Sequence, residues 1–293
     1  GMAYRLRYRL PQPAPSVDIL MPTRDSLGVL SHCVASVLER TDYPNYRLTI
    51  IDNGSRDPAC VDYLQAVQAD ERVRVLPYDH EFNFSAITNY GAAESDADLL
   101  LLMNNDMEVI NGDWLTELAS QALREGIGAV GAKLFFASDY IQHGGVVLGV
   151  GPDAVAGHAF RGFYKHETGH MGRLRLVQNY SAVTAACLAL RRETFLAVGG
   201  MDEENLAVAF NDVDLCMKLV DAGYRNLWTP YAQLYHFESF SRGREIGERR
   251  ARFERERDFM IEKWGRQLRE DPAYNPNLTL AYESFDMAWP PRG

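Results

Sequence analysis

Four polar clusters in this chain combine residue types that bind cations, phosphates and protons. Asn104-Asn105-Asp106 follows the apolar run Leu99 to Met103. A carboxylate held at a strand end can ligate a divalent cation such as Mg²⁺ or Mn²⁺, whose remaining ligands are phosphate oxygens and water. Asp52-Asn53-Gly54-Ser55 follows a second apolar run, and a carboxylate there can accept the imide N3–H of a uracil or thymine ring. Both clusters are also good turn sequences whatever their function. Asn211-Asp212-Val213-Asp214 opens a helical pattern. Asp212 can serve as an N-cap or first-turn acid, or as a general base that takes a proton from an attacking hydroxyl. In Tyr235-His236-Phe237-Glu238-Ser239-Phe240-Ser241-Arg242, His236 is a candidate metal ligand and Arg242 a candidate diphosphate partner.

These side chains need a scaffold that brings them together, and the patterning supplies one. Val17 to Met21, Arg47 to Ile51, Val73 to Leu76, Leu99 to Met103 and Gly128 to Lys133 read as buried strands. Helical spacing falls between them, over 26–40, 58–69, 83–93 and 114–124. Strands alternating with helices imply an α/β fold with a mostly parallel sheet covered on both faces. Ligands of such sheets bind beyond the carboxyl ends of the strands. That edge holds Pro22-Thr23-Arg24, Asp52-Asn53 and Asn104-Asn105-Asp106, and with Asn83 these form the expected ligand-binding set. The second half is less regular. Residues 140–180 read as Gly- and His-rich loops with a small antiparallel patch. Thr184 to Leu190 reads as a buried strand, Arg192 to Val198 and Asp212 to Ala222 as helices, and Leu227 to Pro230 and Ala232 to His236 as short strands. An amphipathic helix over 244–270, with Ile246, Phe253, Met260 and Trp264 on one stripe, precedes a proline-rich tail expected to lie extended on the surface.

Composition narrows the class. Hydrophobic residues make up 46% and charged residues 24%, ordinary for a globular protein with a buried core. A net charge of −10 gains nothing from phosphate electrostatics, so no nucleic-acid partner is expected. Cys33, Cys60, Cys187 and Cys216 form no C-x-x-C pair and read as free thiols of a reducing, cytoplasmic compartment. The basic start, Tyr4 to Leu10, lacks the apolar stretch of a secretion signal, and no run is long enough to span a bilayer. Gly1 before Met2 reads as a tag-cleavage residue, so the chain is expected to be one part of something longer. The stretch Arg242 to Arg269 is basic; it reads as a solvated helix face, with peripheral contact to an anionic membrane as the second reading.

Taken in order, Pro22-Thr23-Arg24, Asp52-Asn53-Gly54-Ser55, Asn104-Asn105-Asp106 and Asn211-Asp212-Val213-Asp214-Leu215-Cys216 with Gly223-Tyr224 resemble family 2 glycosyltransferases of GT-A fold. Arg191 to Phe195 and Val198 to Glu203 are similar to the segment preceding that family's catalytic acid. Ile141-Gln142-His143-Gly144-Gly145 and Tyr235 to Ser239 resemble the bacterial branch that builds O-antigen and other surface polysaccharides, rhamnosyltransferase-like proteins included. The resemblance spans about residues 16–245. It implies inverting transfer from a UDP- or dTDP-type sugar to a hydroxyl of a glycan or lipid-linked acceptor, with Mn²⁺ or Mg²⁺. Asp52 would bind the base, Asp106 and His236 the metal, and Arg242 the diphosphate, while Asp212 would be the base. Asp214, His143 and Glu238 are secondary candidates. Asn104 and Asn211 stand where the family often has carboxylates, which keeps open a catalytically silent nucleotide-sugar or carbohydrate-binding module. A sugar nucleotidyltransferase ranks lower, for want of a Gly-rich phosphate loop. The expected organisation is a linker over 1–15, a GT-A domain over 16–243 with a nucleotide half (16–133) and an acceptor half (134–243), and a C-terminal helix and tail over 244–293 packed on it.

Overall fold

The structure, a computed structural model, describes residues 4–151, 153–237 and 247–292. The elements run β1 (Val17–Thr23), α1 (Leu27–Arg40), β2 (Tyr46–Asp52), α2 (Pro58–Ala66), β3 (Val73–Pro77), α3 (Phe84–Ala93), β4 (Leu99–Met103) and β5 (Met107–Val109). They continue with α4 (Trp114–Ala122), β6 (Ile127–Phe135), β7 (Ile141–His143), β8 (Val146–Leu148), β9 (Ala156–His158), β10 (Gln178–Tyr180), β11 (Cys187–Arg191), α5 (Arg192–Ala197), α6 (Asn211–Asp221), β12 (Arg225–His236) and α7 (Glu248–Arg269).

One sheet has the order β10-β12-β6-β11-β4-β1-β2-β3, with β5 on β12 and β7 on β6. β4, β1, β2 and β3 are mutually parallel, as are β6 and β12. β11 runs antiparallel between β4 and β6, so antiparallel pairing reaches well beyond a small patch. That reversal matters for function. The entry to β11, Thr184-Ala185-Ala186, lies beside the end of β4, where the Asn104 amide donates to the Ala186 carbonyl over 3.1 Å. Residues 184–186, expected inside a strand, instead line the cleft.

Both sheet faces are buried. Along β4, Leu100 and Leu102 join one apolar cluster while Leu99, Leu101 and Met103 join the other. A strand buried on both sides carries apolar residues at every position, which explains the unbroken run in the sequence. Leu30, Val34, Val37, Trp114 and Leu118 of α1 and α4 cover one face. Ile87, Leu215, Leu219, Met260 and Trp264 of α3, α6 and α7 cover the other. The two short strands expected over 227–236 are one strand, β12. Its register with β6 shifts between Trp228 and Gln233, around Pro230, which has no N–H to give the ladder. The proline-rich tail is not confined to the surface: Tyr274, Leu278 and Phe285 are buried, and Phe285 stacks on Phe160 with ring centroids 4.5 Å apart. Ile246 lies outside the described residues.

The very polar helix α7 is fixed to α6 by a buried charge. Asp214, fully buried, accepts from Trp264 Nε1 at 2.7 Å and faces Lys263 Nζ at 2.7 Å and Lys218 Nζ at 3.6 Å. Glu256, also buried, accepts from the amides of Val208 (3.2 Å) and Ala209 (2.7 Å), and burial pushes its carboxyl up from the ordinary range. α7 therefore anchors the chain leading into α6. Removing one side of a buried ionic network leaves the other uncompensated. Asp214→Ala is expected to lower unfolding stability by about 3 kcal/mol, read as a shifted urea midpoint; a loss below about 1 kcal/mol would show that the network does not hold the two helices.

Candidate active site

The candidate site is built at the carboxyl ends of β1, β2, β4, β6 and β12, beside the N-terminus of α6. β5 supplies the decisive return. It pairs antiparallel with β12, with Met107 opposite His236, and the Phe237 amide donates to the Asp106 carbonyl over 2.9 Å. The last residue of β12 thus meets the turn after β4. His236 Nε2 lies 3.1 Å from Asp106 Oδ1 and 3.2 Å from Asn104 Nδ2. On its other side His236 Nδ1 lies 2.6 Å from Gln142 Oε1. A carboxamide oxygen only accepts and a carboxamide nitrogen only donates, so in a neutral ring this arrangement matches a proton on Nδ1 and a lone pair on Nε2. Asp106 Oδ1 is buried and makes no hydrogen bond among the described residues.

Two lone-pair-bearing atoms 3.1 Å apart suit a cation. Neighbouring ligands of an octahedral Mg²⁺, each about 2.1 Å from the ion, stand about 3 Å apart. Among the described residues no group of three His, Cys, Asp or Glu side chains gathers around one point. The pair fits a divalent ion whose other ligands are not protein. Asn104, where a second carboxylate is common in the resembled family, is turned to His236.

Asp212 opens the opposite wall. Its Oδ2 accepts from the Ala185 amide at 3.0 Å and its Oδ1 from the Val213 amide at 2.8 Å, which fixes the carboxylate plane. Phe210, just ahead, has a left-handed backbone at φ 60°. A bulky residue seldom adopts that conformation, and holding it costs about 1–3 kcal/mol. The Glu256 anchor on Val208 and Ala209 supplies the tether. Asn211 is buried and donates to Ser85 Oγ at 3.1 Å, so it ties α6 to α3. Asp212, Asn104, Gln142, Thr184, His236 and Phe253 line one cleft of about 280 Å³.

The carboxyl ends of β1 and β2 are linked toward this cleft through side chains. Thr23 pairs with Asp52 in the β1–β2 register, and Thr23 Oγ1 accepts from Asn105 Nδ2 at 2.9 Å. Asp52 Oδ1 accepts from the Ser55 amide (3.0 Å) and hydroxyl (2.6 Å), which leaves Oδ2 its acceptor capacity. Gly54 makes this turn with φ 70°. Arg24 is exposed at the end of β1, just after the half-buried Pro22.

Several of the expected ligands also make contacts that hold the scaffold together. Asn53 is buried and donates to the carbonyls of Tyr78 (3.1 Å) and His80 (2.8 Å), joining β2 to the chain after β3. Asn83 caps α3, accepting from the Ala86 amide at 3.0 Å and donating to the Glu203 carbonyl at 2.8 Å. Asp214 faces α7, not the cleft, which removes it as an alternative base. His143 is fully buried, with Nδ1 2.8 Å from His158 Nδ1; burial, with His158 adding to it, holds its pKa well below the ordinary imidazole value, so it is a neutral core group. Glu238 and Arg242 lie outside the described residues. Gln142, Thr184, Ala185 and Phe253 line the cleft and were not singled out by residue type. For Gln142 a signal existed: neighbouring strand residues point to opposite faces, so Gln142 and His143 have different surroundings.

The sheet, with acids and a histidine gathered at its strand ends, has the GT-A fold. The same fold occurs in GalNAc-T7 solved with UDP, GalNAc and Mn²⁺ (TM-score 0.69, 14% identity, 88% of this chain and 49% of that one). It also occurs in a mannosyltransferase from Pyrobaculum calidifontis solved with GDP-Man and Mn²⁺ (TM-score 0.58, 14% identity, 81% and 62%). The sequence model described as "Glycosyl transferase family 2" matches residues 18–195, and the chain belongs to that family. It is 38% identical over 285 residues to the O-antigen biosynthesis protein RfbC of Myxococcus xanthus, covering 94% of this chain and 21% of that protein. It is 49% identical over 278 residues to the uncharacterized protein y4gI of Sinorhizobium fredii, covering 94% and 30%. The chain therefore spans less than a third of these relatives. Among the described residues no helix is long and apolar enough to cross a membrane.

Proposed function

We propose that the chain transfers a sugar, with inversion, from a UDP- or dTDP-type donor to a hydroxyl of a glycan or lipid-linked acceptor in bacterial surface polysaccharide synthesis. The observation that carries this reading is that Asp212 and His236 line one cleft from opposite elements, α6 and β12. Asp52, held by Ser55, accepts the imide proton of the base. Thr23, Arg24 and Asn105 border the ribose and diphosphate. Asp106 and His236 hold a divalent cation, Mn²⁺ or Mg²⁺, which supplies positive charge to the leaving diphosphate. Asp212 takes the acceptor hydroxyl's proton as that oxygen attacks the anomeric carbon from the face opposite the leaving group. The donor and cation reading is supported by GalNAc-T7 and the mannosyltransferase, solved with nucleotide or nucleotide sugar and Mn²⁺. The polysaccharide setting is supported by the likeness to RfbC. The four free, buried cysteines fit a reducing compartment and so a cytoplasmic reaction.

The test is nucleoside-diphosphate release across a panel of UDP- and dTDP-sugars with Mn²⁺. Release with at least one donor is expected. Tight metal-dependent nucleotide binding with no release or transfer from any donor would instead define a silent binding module.

A further inference from the structure

Gln142 meets the His236 ring on the side away from Asp106. β7 pairs with β6, with Phe135 opposite Ile141, and β6 pairs with β12, with Phe135 opposite Tyr235. Two successive pairings thus carry Gln142 to the end of β12. Both side chains are buried, Gln142 at 4% and His236 at 7% exposure, and Nδ1 meets Oε1 at 2.6 Å. In that setting water cannot readily replace a missing partner, and an unmet buried polar group is costly.

We infer that Gln142 is a positioning residue that sets the tautomer of His236. Its carboxamide oxygen accepts the Nδ1 proton, which leaves the lone pair on Nε2, the atom that lies 3.1 Å from Asp106 Oδ1 and 3.2 Å from Asn104 Nδ2. A neutral histidine side chain in water favours the other tautomer, with the proton on Nε2. That proton would point at Asp106 and close the pair as a simple hydrogen bond, leaving nothing on the ring to bind a cation. The bond from Gln142 therefore decides whether Asp106 and His236 close on each other as a hydrogen bond or stand open as a metal-binding pair. Outer-sphere partners of histidine ligands act in this way, and losing one typically costs 10- to 100-fold in metal affinity. The metal consequence rests on the proposed ligand role of His236; the tautomer assignment does not.

The experiment separates the two. Ring ¹⁵N–¹H spectra of the ¹⁵N-histidine-labelled full chain, free of metal and at about pH 8, above the ordinary imidazole range, are expected to show His236 protonated on Nδ1. In Gln142→Leu the proton is expected to move to Nε2. In Gln142→Glu, whose carboxylate accepts the same bond, it is expected to stay on Nδ1. A wild-type ring protonated on Nε2, or a Gln142→Leu ring unchanged from wild type, would overturn the inference. Mn²⁺ titration in the presence of UDP adds the metal readout. Gln142→Leu is expected to weaken Mn²⁺ about 10- to 100-fold, with UDP affinity in EDTA unchanged and Gln142→Glu close to wild type. If the tautomers behave as stated while His236→Ala binds Mn²⁺ like wild type, the positioning role stands and the ligand role of His236 falls.

Discussion

Asp212→Asn is expected to reduce sugar transfer by about 10²- to 10⁴-fold, the usual contribution of a positioned general base, while leaving UDP or dTDP binding within about twofold of wild type. The reason is that the exchange keeps the shape and removes the proton acceptor. The amide oxygen can still accept from the Ala185 amide, as Oδ2 does at 3.0 Å. Only the bond from the Val213 amide is put at risk, and one neutral hydrogen bond contributes about 1 kcal/mol. The variant should therefore fold and unfold nearly as wild type. This separates it from Asp214→Ala, which is expected to lose stability because Asp214 is fully buried against Lys263 and Trp264. Steady-state transfer rates, nucleotide titration and urea midpoints on the two variants form one comparison. An Asp212→Asn enzyme with wild-type turnover would remove Asp212 as the base, and Asp214 does not face the cleft to replace it.

That contrast between Asp212 and Asp214 shows how much of the site could be seen in the sequence. Residues two apart on a helix lie about 200° apart around its axis, so only one of the pair could face a given cleft. Which one did depends on α7, whose Lys263 and Trp264 lie about fifty positions downstream in the chain. Asp52 and Asp106 were legible because a doubly buried strand reads as a continuous apolar run and its end is marked by the first polar residues. The same logic did not reveal the backbone contacts of Asn53 and Asn83. Asparagine at a strand end or helix start serves as ligand, turn former or cap with equal ease, and here both side chains bond the backbone.

The partner of Asp106 was legible as a residue but not as a contact. β5 has three residues, too few for a period, yet its pairing to β12 is what joins His236 to Asp106. The antiparallel β11 was equally hidden, because an apolar run states burial and not direction. Its reversal brings Thr184 to Ala186 into the cleft. The prolines of the tail suggested a surface excursion, whereas Tyr274 and Phe285 pack into the core: proline restricts backbone conformation and says little about where the neighbouring aromatics go.

The second large effect expected is on the cation. EDTA should eliminate transfer, and Mn²⁺ added back should restore it. Asp106→Ala should lower turnover by about 10²- to 10³-fold, the range seen when one preorganised electrostatic partner of a developing charge is removed. The geometry makes Asp106 the more sensitive of the two protein ligands. A histidine ligand brings no negative charge, and Asn104 contributes none where a second carboxylate would help. Asp106 is thus the one anionic side chain at the cation site among the described residues. With so few protein ligands, the cation should bind weakly alone and strongly with the nucleotide diphosphate, so Mn²⁺ affinity should rise steeply when UDP or dTDP is present. Asp106→Ala is expected to weaken that coupling, and excess Mn²⁺ should recover part of the lost turnover if the defect is in binding. The variant should remain folded, since Asp106 Oδ1 makes no hydrogen bond among the described residues and its loss leaves His236 still held by Gln142. Full turnover in EDTA would remove the metal from the reaction and leave the charge of the leaving diphosphate to be met by cationic side chains alone.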